Sequence, residues 1–483
     1  MTRRRRHRNG TAPQGFQPLM LRRFLLPLTC LLALALPCAA AEAAPDQVMT
    51  FEAPAELLDD GTRDRTLQEI QDLGVKRIRA LVYWSQFTAR STSDRAPRFD
   101  LRDPDAYPAD TWGVLDRLVT AAGARDIEVM FTLTGPGPDW ATKKRNDGIT
   151  RPSARQYGRW VTAMARRFGD RVHLWSIWNE PNHPRFLGPQ YKNGQPASPS
   201  VYRALFLAGE KAIHGVPGGG RDKVLFGETA PVGTSTLVEP LVFLRRALCL
   251  SESYKRNQDC NKVRMEGFAH HAYARKGNPF FRSTKQDEVS IGTLDRLTKA
   301  LDRAAKAGAI KRKRPIYLTE FGVQSYPDRI AGVSLAKQAE YLAISEHIAY
   351  VNRRVKAFSQ YLMRDDGKVF GQGKTERYGG FETGLRRANG KRKPAYTAFM
   401  LPLRVSEAGN SHVLWGRVRP ATEPVDVTIQ RDTGDGWKRL TTTRTGAGGV
   451  FGLGTRARDD ARYRVRWTRA DGATSTGPPI RPY

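Results

Sequence analysis

Between residues 47 and 404, short apolar runs rich in valine, isoleucine and phenylalanine alternate with longer stretches whose apolar residues recur at spacings of three and four. A run of the first kind fits a buried strand, and one of the second kind fits a helix with one apolar stripe. Their regular alternation predicts parallel strands joined by crossover helices. The strand candidates are QVMTFEA (47–53), VKRIRALVYW (75–84), IEVMFTLTG (127–135), VHLWSIWNE (172–180), KVLFGETAPV (223–232), RMEGFAHHAY (264–273), PIYLTEFG (315–322) and VKAFSQYLM (355–363). Helical segments fall between them, such as 66–74, the stretch from 157, that from 293 and that from 335. Eight such units predict an α/β fold, a (β/α)₈ barrel over residues 45–404.

Two of these strands close on a carboxylate. HLWSIWNEPN (173–182) presents Glu180 between Asn179 and Pro181, and RPIYLTEFG (314–322) presents Glu320 before Phe321 and Gly322. Barrel chemistry gathers at the carboxyl ends of the strands, so glutamates ending the fourth and seventh strands are expected to face one pocket. Glycoside hydrolysis needs such a pair: one carboxylic acid protonates the departing oxygen while the other attacks the anomeric carbon or activates water. A single strand-end glutamate would more simply pair with one of the many arginines.

WNEPN and TEFG resemble the retaining glycosidases of glycoside hydrolase clan A, families 5 and 39 among them, and the resemblance covers about residues 47 to 400. It implies that Glu180 is the general acid/base, Glu320 the nucleophile, and the outcome retention, with no metal or organic cofactor. Glu320 should then be ionised, and Glu180 should keep its proton through burial and the nearby negative charge. Asn179 is placed by the resemblance on the sugar 2-hydroxyl and Arg79 beside the nucleophile, with Arg77 a competitor on the same strand face. His271 and Tyr273, which share a face of the sixth strand, are expected to touch the nucleophile or sugar. His270 points the other way, as a core histidine. Trp84 and Trp140 are candidate sugar platforms or core residues. Glu228 ends the fifth strand and either binds a substrate hydroxyl or pairs with an arginine. The tryptophan that many clan members carry after the eighth strand is absent, and Tyr361 or Asp365 stands in its place. A catalytically silent glycan-binding or cell-envelope protein on the same barrel is the competing reading.

After residue 404 the texture changes to short alternating segments separated by Gly, Asp and Arg turns, which predicts a small β-sandwich over residues 405–483. Its tryptophans, Trp415, Trp437 and Trp467, read as core more readily than as platform.

Residues 1–41 read as a secretion signal: basic from Arg3 to Arg23, apolar from Phe24 to Leu36, then small residues at cleavage spacing. The mature chain would carry only Cys249 and Cys260, and export would favour a disulfide between them. This predicts a secreted or cell-envelope protein without stable membrane insertion. The formal charge of +31 would draw it to anionic surfaces or acidic polysaccharides. No motif supports nucleic-acid binding.

Overall fold

The computed structural model describes residues 44, 46–144, 146–370 and 377–483. The expected signal segment, 1–41, lies outside them. Eight parallel strands form a closed barrel: β1 (Val48–Glu52), β2 (Arg77–Tyr83), β3 (Glu128–Thr134), β4 (Leu174–Ile177), β5 (Lys223–Thr229), β6 (Gly267–His271), β7 (Ile316–Glu320) and β8 (Val355–Tyr361). Each strand pairs with its sequence neighbours, and β8 closes onto β1 through Val48↔Ala357 and Glu52↔Tyr361. All eight lie inside the segments predicted from sequence.

The crossovers are helices α1 (Arg63–Asp72), α2 (Gly113–Gly123), α3 (Ala154–Phe168), α4 (Ser198–His214), α5 (Pro240–Ala247), α6 (Leu294–Lys306), α7 (Leu335–Val351) and α8 (Pro394–Met400). In α6 the buried residues Leu294, Leu297, Leu301 and Ala304 make one stripe, as its sequence spacing requires. Ser153 and Ser334 cap α3 and α7 by accepting from the backbone N–H of Gln156 and Lys337. Met130, Leu174, Leu225, Ala269, Tyr317 and Ala357 pack together as a small core of their own within the barrel strands. The larger core lies between strands and helices and continues into the C-terminal sheets.

Those sheets are antiparallel. One has the order β9–β10–β13, from Leu403–Ala408, Ser411–Arg417 and Val450–Arg456; the other has the order β12–β11–β14–β15, from Lys438–Arg444, Asp426–Asp432, Arg462–Thr468 and Thr474–Thr476. Val405 and Leu414 of the first sheet, with Val427, Ile429, Tyr463 and Val465 of the second, fill the space between. The sandwich seats on α7, where Trp415 meets Tyr350 and His347 at ring separations of 5.5 and 4.9 Å. This explains why α7 lacks a clear apolar stripe: it is covered on both sides, and Gln338, Ser345 and Glu346 are buried along with its leucines and alanines.

Cys249 and Cys260 are joined in a disulfide, which suits an extracellular environment. No helix of the described residues is long and apolar enough to cross a membrane.

Candidate active site

The carboxyl ends of the strands bring four glutamates around one arginine. Arg79, on β2, is fully buried and donates to Glu228 (2.6 Å), to Asn179 Oδ1 (2.7 Å), to Thr132 Oγ1 (3.0 Å), to Glu320 Oε2 (3.3 Å) and to Glu52. So many carboxylates hold its guanidinium firmly charged, against the opposing cost of burial. Tyr273 Oη donates to the other oxygen of Glu320 at 2.8 Å. Both oxygens of Glu320 are therefore met by a donor.

Glu180 lies opposite, its Oε1 2.9 Å from His271 Nδ1, and the same nitrogen is 3.6 Å from Glu320 Oε2. The two carboxylate oxygens can be no farther apart than the sum of those lengths. That admits the ~5–5.5 Å carboxyl separation of retaining enzymes. Burial pushes the Glu180 carboxyl up, but the hydrogen bond and charge of His271, with help from His183 and Arg79, outweigh it and leave Glu180 below its ordinary value. Burial likewise opposes charge on His271, yet Glu320 and Glu180 hold its proton more tightly than usual. The expectation that Glu180 itself keeps the proton is thus modified.

Turns at the strand ends aim these groups. Trp178 and Glu180 have φ of 66° and 39°, and Glu228 has φ of 48°, a left-handed conformation costly for such side chains and frequent at functional sites. The Glu180 N–H donates to Glu228 O (3.0 Å), while the Asn179 N–H donates to Thr134 Oγ1 (3.0 Å).

Residues 41–191 match the family profile described as "Cellulase (glycosyl hydrolase family 5)". Among solved structures, a family 39 glycoside hydrolase from Bacteroides cellulosilyticus WH2 is similar at a TM-score of 0.51 and 15% identity, over 87% of this chain and 81% of that one. A family 39 enzyme from Xanthomonas axonopodis pv. citri gives 0.52 and 16% identity, over 90% and 94%. A monomeric beta-xylosidase from Caulobacter crescentus CB15 gives 0.51 and 14% identity, over 90% and 96%. The chain is similar to the clan A glycoside hydrolases. At such identities the structural likeness speaks for the fold, while the family match supports a glycosidase acting on carbohydrate. No curated protein matches the chain.

Within this barrel the remaining expected residues separate. Arg77 turns away to pair with Glu128 at 2.7 Å, leaving Arg79 alone at the carboxylates. His270 is a satisfied core residue between Thr229 Oγ1 and Val289 O, both at 2.9 Å, and burial pulls it down to about 4. Of the two possibilities for Trp84, the structure takes the core: it is 0% exposed, packed among Trp140, Tyr157 and Trp160. Trp140 stays partly exposed, its indole N–H donating to Ala89 O at 3.3 Å. Of the two possibilities for Glu228, the structure takes the ion pair. It is fully buried against Arg79, with Thr132 Oγ1 donating to it at 3.0 Å, and has no surface left for a substrate hydroxyl.

After β8, Tyr361 stands edge-on to Phe381 with ring centroids 5.0 Å apart, and Phe381 also stacks on Tyr273 at 6.4 Å. Asp365 is instead drawn into a buried pair with Lys393 Nζ at 2.6 Å, so it is no sugar platform. Beside Tyr273 a cavity of about 440 Å³ opens, walled by Pro231, Val232, Ala274 and Phe281.

Glu52, which is not among the residues expected from sequence, also meets Arg79. It ends β1 in VMTFE, the same apolar run closing on a glutamate that marked Glu180 and Glu320. Burial and the neighbouring Glu320 raise it to about 7 despite Arg79, and its Oε1 has no hydrogen-bond partner.

Proposed function

We propose that this chain is an exported retaining glycosidase that cleaves β-linked glycosides of an oligosaccharide or polysaccharide by double displacement. The observation that carries the reading is the unequal pair of carboxylates. Glu320 is pinned by Arg79 and Tyr273, while Glu180 is hydrogen-bonded to His271 alone of these groups. In the first step a Glu320 oxygen attacks the anomeric carbon, the glycosidic C–O bond breaks, and Glu180 delivers a proton to the leaving oxygen. Transfer of a proton from the His271 imidazolium to Glu180 along their hydrogen bond arms the acid. In the second step Glu180, now a carboxylate, takes a proton from water as the oxygen attacks, and Glu320 departs with the anomeric configuration restored.

Asn179 offers its amide N–H to the sugar 2-hydroxyl because its oxygen is engaged by Arg79. Trp140 and Tyr361 are the aromatic faces left to frame the sugar, and the cavity beside Tyr273 has room for further substrate. The beta-xylosidase among the similar structures makes xylosides the first substrates to try. The test is release of 4-nitrophenol from the β-xyloside, β-glucoside, β-mannoside and β-galactoside, together with product release from xylan and cellulose. Activity on at least one, with β product seen first by NMR, is expected. Silence across the panel would favour the glycan-binding alternative, and α product seen first would overturn retention.

A further inference from the structure

The outward face of the four-stranded sheet carries a pattern that catalysis does not use. Pairing registers place side chains of alternate residues in rows across it: Thr442, Thr428, Arg466 and Thr476 in one, Arg439, Gln430 and Arg464 in the next. Their neighbours on the opposite face, Val427, Ile429, Tyr463 and Val465, are buried in the sandwich core, so these rows face solvent. Arg439 and Arg466 are exposed and have no acidic partner among the described residues. Arg464 lies 4.1 Å from the centroid of the half-buried Trp437 ring and donates through Nε to Gln430 at 2.7 Å, so its guanidinium is held in place. Arg462, 5.8 Å from the same ring, is paired with Asp432, and Arg444 with Asp426.

We propose that this face binds a linear acidic polysaccharide, with its carboxylate or sulfate groups on Arg439, Arg464 and Arg466 and its hydroxyls on the intervening threonines and Gln430. Along β14 the two arginines stand roughly 6.8 Å apart, and Arg439 lies two strand spacings from Arg464, about 9.6 Å away. Cations spread over a flat sheet match an extended polyanion rather than a single phosphate. Trp437 is the one aromatic residue in the pattern, too few for the successive stacked bases of single-stranded nucleic acid. Hydroxyls and guanidinium groups fill the remaining positions, with no large apolar side chain to enter a bilayer. The surface is independent of the catalytic reading, because none of these residues lies on the barrel.

Affinity electrophoresis in gels containing polygalacturonate, dextran sulfate or neutral dextran tests this. The parent should be retarded by at least one of the acidic polymers and not by dextran, with the retardation released by added salt. Which acidic polymer acts would distinguish carboxylate from sulfate recognition. Arg439→Glu with Arg466→Glu should weaken retardation on the order of tenfold or more, since two contacts become repulsive. Arg155→Glu with Arg312→Glu changes the net charge equally at exposed sites away from the sheet and should retain binding. Equal loss in both double variants would reduce the effect to net charge and overturn the site. No retardation of the parent, or tighter binding to duplex DNA or phosphatidylglycerol vesicles, would overturn it too. Melting curves check that the variants fold, and Arg439→Gln with Arg466→Gln replaces the reversal should it not.

Discussion

At the scale of single residues, the site is a problem of too many negative charges. Glu52, Glu228 and Glu320 all lean on Arg79, while His271 serves Glu180. Replacing Glu320 by Gln should abolish turnover while leaving the melting temperature near that of the parent, because Tyr273 can still donate to the amide oxygen. Glu180→Gln should slow substrates with alkyl leaving groups far more than 4-nitrophenyl ones, since only the former need a proton. Equal loss on both would sink the acid assignment. Glu52 makes a separate prediction. Its folded value of about 7 lies above the ordinary 4.5, so the native state binds its proton more tightly. The associated stability is fully present below pH ~4.5 and is lost as pH rises through about 7. Glu52→Gln stays neutral and keeps an oxygen for Arg79, so it should flatten this slope and gain up to roughly 3 kcal/mol at pH 8. Urea denaturation at pH 5 and pH 8 checks it, and an unchanged slope in the variant would refute it. Glu52 carried the same strand-end signature as Glu180 and Glu320, so it was legible. Trp84 was not, because whether a strand-end indole faces inward or toward sugar depends on what α3 brings against it, here Tyr157 and Trp160.

At the scale of elements, the barrel strands were readable because each is a concentrated β-rich run between helical stretches, and burial on both faces leaves little room for polar interruption. The sandwich's first strand, Leu403–Ala408, was not, because LRVSEA is short, mixed in polarity and follows directly on α8. The turns that aim Asn179 and Glu180 also lay beyond the sequence pattern. Trp178 must adopt a left-handed backbone so that Asn179 and Glu180 point into the site, and its ring then lies against Gly135 at the end of β3. A Cβ at Gly135 would fall 2.4 Å from Trp178 Cζ2, closer than atoms approach, so the indole must move and carry the neighbouring catalytic turn with it. Gly135→Ala should therefore cost about 1–3 kcal/mol of stability and lower kcat on the order of a hundredfold. Steady-state kinetics beside a melting curve would separate these effects, and an unchanged kcat would show that the turn does not depend on this contact.

At the scale of the whole molecule, the sandwich and barrel are joined through α7, and the join holds a buried charge cluster. Glu346 on α7 accepts from Arg419 and, at 3.3 Å, from Arg417 at the end of β10, and all three side chains are nearly inaccessible. Burial lowers the Arg419 value against the pull of Glu346, so this arginine keeps its charge at some cost. Its Nη1 also donates to Phe399 O in α8, while Arg417 Nε reaches Gly448 O in the sandwich. One carboxylate thus serves as the counter-charge for two guanidinium groups that tie together both parts of the chain. Removing it leaves two buried cations without an anion, which is far worse than never having placed the cluster there. Glu346→Ala should lose about 3–5 kcal/mol of stability, whereas Glu346→Gln, which keeps an acceptor, should lose less. Below the melting transition, kcat and KM should match the parent's, because α7 meets the barrel at β8 and Glu346 makes no contact with Glu180 or Glu320. A loss under about 1 kcal/mol for the alanine variant would mean that the two arginines find water once Glu346 is gone, and that apolar packing around Trp415 holds the sandwich in place.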